Sequence, residues 1–331
     1  MTSGTTADYD GSTTTAAAAA GITARDLIVR AAREGDIEQI RVLLLQYQEQ
    51  QQQQQDAGDR DCAACLNGLG SIGVTPLYMA ALKGNAIAVR FLLAHGASPT
   101  LATAKQRTPL FASLLGDSLE IVHALVEAGA TLEDGVGSEL LFEATRRGRF
   151  QIARWLVDRG VDVQFACPTN GMTPLFAAAS FGNTELAAVF LDRGAPVDAR
   201  THKGQTPLFV AALLGYLDMT RFLIERGAHV NALTTESETP LFAAAGWGHL
   251  DVVRELVQRG AAVDALNVRG ETPLFVAITR GSVAVAAFLI TDCGAALDVT
   301  TQSGATLLSA AQLHGQSEIA QILQDRSVTA R

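Results

Sequence analysis

Apolar residues in this chain are spaced by a long and regular step rather than scattered. Leu175-Phe176, Leu208-Phe209, Leu241-Phe242 and Leu274-Phe275 each follow a Thr-Pro pair and lead to small residues: Ala178-Ala179, Ala211-Ala212, Ala244-Ala245 and Ala277. Gly182, Gly215, Gly248 and Gly281 close the four stretches. The step is 33 residues each time. A fixed period of that size predicts stacked repeats rather than a single core. Within each repeat, Thr predicts an N-cap and Pro the first helical position, where its missing N–H costs nothing. The Ala pair predicts close helix approach, and Gly a left-handed helix end. A second amphipathic helix follows, as in Met219-Thr220-Arg221-Phe222-Leu223-Ile224, and then a hairpin-like loop of about a dozen residues.

The pattern weakens towards both ends. Residues 24–45 read as a degenerate first repeat, with Asp26-Leu27 for Thr-Pro and a polar face (Arg25, Asp26, Arg30, Arg33, Glu34) suited to an end cap. Residues 46–73 interrupt the period with a Gln-rich tract (Gln46, Gln48, Gln50 through Gln55), read as a mobile loop insertion. The third repeat has Asp117 where Gly is expected; Asp tolerates the left-handed region. The fourth is least regular, with Glu139-Leu140 for Thr-Pro and a short preceding loop. The ninth, Thr306 to Gln324, reads as the second cap. Residues 1–23 read as a disordered arm and 326–331 as a frayed tail.

The Thr-Pro-Leu start, the Ala pair, the Gly nine residues after Thr, and the closing Arg226-Gly227-Ala228 resemble the ankyrin-repeat family over residues 24–325. The resemblance implies an all-α solenoid of about nine helix-turn-helix units joined by β-hairpin-like loops. It also implies a noncatalytic scaffold or adaptor whose partner lies on the concave face. One departure stands out. The position after Leu, usually His in the family, holds Tyr78, Phe111, Phe142, Phe176, Phe209, Phe242 and Phe275, which predicts an aromatic stripe packed through the stack.

At the family's variable positions, Phe181, Leu214 and Trp247 fall at one place in successive repeats, flanked by Arg146, Arg147 and Arg280, with Met172 at a hairpin tip. Trp and Arg are enriched in binding hot spots, and an exposed apolar stripe marks a binding surface. The alternative is that these side chains fold down onto neighbouring helices. The partner this stripe suits is a protein: a peptide or helix with apolar anchors. Asn231 matches the family position that asparagine hydroxylases modify; the plainer reading is a turn residue bonding its own loop.

Other chemistry reads as absent. Gly68-Leu69-Gly70-Ser71-Ile72-Gly73 fits a dinucleotide fingerprint in letters, but a Gln tract and Cys62-Ala63-Ala64-Cys65 precede it instead of a strand. Cys62 and Cys65 form one pair where a structural zinc needs four ligands, so they read as loop thiols. The six His form no catalytic or metal-binding motif. No cofactor, metal site or enzymatic activity is expected. The net charge of −9 argues against nucleic acid. No apolar run reaches membrane length and no signal peptide is read. Irregularly spaced Cys suggest the cytosol or nucleus, and the chain reads as a monomer. Two alternatives stay open: a substrate-recruiting or transcription-linked regulatory subunit, and a metal or redox protein using the 46–73 insertion.

Overall fold

A computed structural model describes residues 23–53, 65–133 and 135–329. The arm read at 1–23 lies outside the described residues apart from Thr23, as do Cys62 and the rest of 54–64. The described chain holds eighteen α-helices in pairs and one isolated bridge, Thr300 to Thr306. The first four pairs are α1 (Ala24–Glu34) and α2 (Ile37–Gln53), α3 (Pro76–Leu82) and α4 (Ala86–Ala94), α5 (Pro109–Leu115) and α6 (Leu119–Glu127), and α7 (Val136–Arg146) and α8 (Phe150–Asp158). Next come α9 (Pro174–Ser180) and α10 (Thr184–Asp192), α11 (Pro207–Leu213) and α12 (Leu217–Glu225), and α13 (Pro240–Trp247) and α14 (Leu250–Gln258). The last are α15 (Pro273–Thr279) and α16 (Val283–Thr291), and α17 (Leu307–Leu313) and α18 (Ser317–Thr329). This is an all-α repeat solenoid. Its packing separates two compact blocks, Met1–Leu140 and Leu141–Arg331, and the division falls inside α7.

The caps are those the residue types dictate. The hydroxyls of Thr75, Thr108, Thr173, Thr206 and Thr272 accept the N–H three residues on, at 3.1–3.3 Å. Pro follows each as the first helical residue. Asp117 turns left-handed at φ 51, doing the work that Gly does in the other repeats. Thr239 is the exception. Its hydroxyl is buried without a partner among the described residues, and the Phe242 N–H bonds the Thr239 carbonyl instead.

In the C-terminal block α9, α11, α13, α15 and α17 pack side by side, and each also packs on the second helix of its own pair. The aromatic stripe lies in this seam, with Phe142, Phe176, Phe209, Phe242 and Phe275 all buried. Tyr78 and Phe111, in the N-terminal block, are half-buried.

Two expectations are corrected. The Gln tract is not a loop as far as Gln53. It continues α2, because no Gly or Pro stops that helix and Gln and Glu are good helix formers. The insertion's return is packed: Cys65 and Leu66 are wholly buried, so Cys65 is a core residue and not a loop thiol. At the C-terminal end α18 runs to Thr329.

Candidate functional site

The cap geometry that ends each first helix also points one side chain outward. Phe181 and Leu214 are the C-caps of α9 and α11, Trp247 ends α13, and Arg280 caps α15. The 33-residue step puts all four in one row across adjacent helices. With helices packing about 8–10 Å apart, neighbours in the row sit roughly 10 Å from each other.

The side chains are solvent-facing to different degrees. Trp247 is 60% exposed, Phe181 45% and Leu214 43%. Trp247 touches Arg280, whose guanidinium lies 5.3 Å from the indole centroid. Phe181 is partly committed to the fold, since its ring meets Phe150 edge-on at 5.4 Å and borders Gly148. It therefore combines both alternatives, with one edge packed and the other open. Met172 is half-buried beside the hairpin tip.

The arginine flank is weaker than three charges suggest. Glu143 accepts two bonds from Arg146, at 2.7 and 3.2 Å, and one from Arg147 at 3.0 Å. Burial pushes the Glu143 carboxyl up, but the bonds and charges of Arg146 and then Arg147 outweigh it and hold the group below its ordinary value. One carboxylate thus serves both guanidiniums. Arg280 has no carboxylate partner among the described residues, which makes it the freest cation of the row.

A position the sequence reading passed over also contributes. In four repeats the residue after the Gly lies over the Gly of the repeat before. Asn85 donates to the Ala32 and Arg33 carbonyls at 3.2 and 2.9 Å, His249 Nε2 donates to the Leu213 carbonyl at 3.0 Å, and Ser282 donates to Gly246 at 3.3 Å. The contact is close enough to require Gly: a Cβ on Gly182 would meet the Tyr216 ring at 3.0 Å, and one on Gly215 the His249 ring at 2.5 Å. Tyr216 is the aromatic exception in this series and is 37% exposed, so its ring adjoins Phe181 through Gly182. The signal was a mostly polar residue recurring after Gly.

Asn231 is committed at both ends of its amide. It donates to the Gly260 carbonyl at 3.0 Å and accepts from the Ala262 N–H at 2.8 Å, tying its loop to that of the next repeat. Asn67 makes the same pair of bonds to Gly96 and Ser98 in the N-terminal block.

The glycine-rich stretch is a hairpin tip: Gly70 N–H bonds Val74, Gly73 N–H bonds Gly70, and no strand precedes it among the described residues. No cluster of His, Cys, Asp and Glu able to hold a metal occurs among the described residues. No helix of the described chain is long and apolar enough to cross a membrane.

Comparison with known families agrees with this architecture. A family model described as ankyrin repeats (three copies) matches residues 28–135, 140–234 and 227–301, and the chain belongs to the ankyrin-repeat family. An ankyrin repeat protein of fowlpox virus is 30% identical over 123 residues, which is 37% of this chain and 86% of the relative. An ankyrin repeat and KH domain-containing protein of Caenorhabditis elegans is 31% identical over 172 residues, 47% of this chain and 6% of the relative. A potassium channel of Arabidopsis thaliana is 28% identical over 127 residues, 38% of this chain and 16% of the channel. The chain therefore spans most of the viral relative and a small part of the other two. Ankyrin repeats are generally protein–protein interaction modules and typically noncatalytic.

Proposed function

We propose that the protein is a noncatalytic scaffold or adaptor that captures a protein partner on the exposed row of the C-terminal block. One observation carries this reading: Phe181, Leu214 and Trp247 leave about half of their surface open at one register position, beside Arg280, which has no carboxylate partner among the described residues and lies against the Trp247 ring. Large apolar side chains left exposed in a row suit a partner's anchors. The spacing defines those anchors. Steps of roughly 10 Å correspond to about seven residues along a helix at 1.5 Å each, or about three along an extended chain at 3.3 Å each. The matching ligand carries apolar residues at i, i+7 and i+14 if helical, or i, i+3 and i+6 if extended, with an acidic residue facing Arg280.

The proposal takes the chain to act as a monomer in the cytosol or nucleus. Burial first, and Asp292 second, push the Cys293 thiol above its ordinary value, which keeps it unreactive. The test is quantitative affinity capture from cells with wild-type chain and Trp247→Ala. Captured proteins should fall at least tenfold while the melting temperature holds, because an exposed side chain carries little of the fold. Equal capture by both would refute the proposal.

A further inference from the structure

We propose that Leu233, Leu266 and Val268 form a second docking surface, on the hairpin side of the C-terminal block, for a short linear segment of a partner protein that carries two apolar anchors and a basic residue. The surface is separate from the row of first-helix ends and does not depend on it.

Arg200, Leu233, Leu266 and Thr300 each stand four residues before the left-handed residue of a tip, which is Gly204, Ser237, Gly270 or Gly304. The two middle loops therefore carry leucine where their neighbours carry polar residues. Leu233 is 46% exposed and Leu266 56%, and Val268, at the tip beyond Leu266, is 44% exposed. Exposed aliphatic side chains gathered in one place mark an interaction surface. The Arg200 guanidinium donates to the Leu233 carbonyl and closes one end of the strip.

The loops that present these residues are bonded to one another. Asn231 ties the first to the second, the Asp264 carboxylate accepts the Ala296 N–H at 2.9 Å, and the Val268 N–H bonds the Glu236 carbonyl at 3.0 Å. The two leucines thus stand one repeat apart, roughly 10 Å. The row lies at the other end of the first helices. Thr234 N–H bonds Glu238 beside the start of α13, and α13 then runs eight residues, about 12 Å, to Trp247.

Charge selects the occupant. Glu236, Asp264 and Asp298 are exposed, and among the described residues no cation lies within ion-pair distance of them. Arg269 stands nearby, but Glu238 and Glu271 hold its guanidinium at 3.7 and 2.8 Å. Uncompensated carboxylates beside apolar side chains repel a nucleic-acid backbone and an anionic membrane, and attract a basic protein segment. With Arg200 at the Leu233 end, the basic residue belongs at the Leu266 end. A short segment binds extended, because helices under about 12 residues are marginal in water. At about 3.3 Å per residue its two anchors lie about three positions apart.

The test uses the full chain and a phage library of random linear dodecapeptides. Peptides selected on wild type and still bound by Trp247→Ala should carry two large apolar residues three apart, with Lys or Arg within about three positions beyond one of them. Leu233→Ser/Leu266→Ser should weaken them at least tenfold. Glu236→Gln/Asp298→Asn should weaken them several-fold, and so should added salt. Thermal melts of both variants should match wild type, because the altered side chains are exposed; if the Ser variant melts early, the Gln/Asn variant decides. The proposal is overturned if no such peptides are recovered, if they lack the pattern, or if they bind either folded variant as wild type. A chain that sediments as a dimer and becomes monomeric on Leu233→Ser/Leu266→Ser would assign the strip to a second copy and overturn it too.

Discussion

Thr220 gives a sharp energetic test of the stack. It lies on α12 at the position held by Ala187, Val253 and Ala286 in neighbouring repeats, and all four are wholly buried. Its Oγ1 has no partner among the described residues. A hydroxyl taken from water without a compensating bond costs about 1–3 kcal/mol. Valine has nearly the same shape, so Thr220→Val removes the unpaired group without opening a cavity. The expected result is a gain of about 1–2 kcal/mol. For a block of this size that is a rise of roughly 2–8 °C in melting temperature. Thr220→Ala should gain less, because the lost methyl leaves a void that offsets the relief. Urea unfolding followed by circular dichroism reads both variants, with hydrogen exchange on α12 as the local probe. A Thr220→Val variant less stable than wild type would mean that the hydroxyl is bonded and the repeat packing is misread.

Ser237 sits left-handed at φ 60 where the tips at Gly171, Gly204, Gly270 and Gly304 hold glycine at φ 72–80. The conformation costs a non-glycine residue about 1–2 kcal/mol, and the extra freedom of unfolded glycine returns about 0.5–1, so Ser237→Gly should stabilise by about 0.5–1 kcal/mol in a denaturant titration. Asp26 receives the Thr23 hydroxyl at 2.7 Å and the Ser71 N–H at 2.6 Å, and these bonds lower its pKa from 3.8 to about 2. A depressed folded pKa gives stability that is complete above the unfolded value and lost as pH falls through the folded one. Protection of α1 against hydrogen exchange should therefore decline between about pH 4 and 2, and Asp26→Asn should remove that step.

Much of this fold was legible because each signature residue has one local task. Thr-Pro starts a helix, Gly or Asp117 ends it, and the Leu-Phe pair faces inward. What escaped notice depended on neighbours or on missing stop signals. Nothing in the Gln tract marks an end, so α2 runs through it to Gln53. The burial of Cys65 and Leu66 requires the insertion to return to the stack, which no periodicity announces. The fourth repeat's short loop was visible, yet its consequence was not: α7 begins a turn early, at Val136. At the row, register alone found Phe181, Leu214 and Trp247. Coordinates were needed to see that Glu143 holds both Arg146 and Arg147.

The central claim is that Trp247 meets the partner directly. The chain has two tryptophans, at 155 and 247, so Trp155→Phe leaves Trp247 as the sole indole. Titrating a captured partner segment into that variant should shift the emission to the blue and saturate at the binding stoichiometry, because an indole now 60% exposed becomes covered. Binding that proceeds to saturation with the emission unchanged would contradict the account.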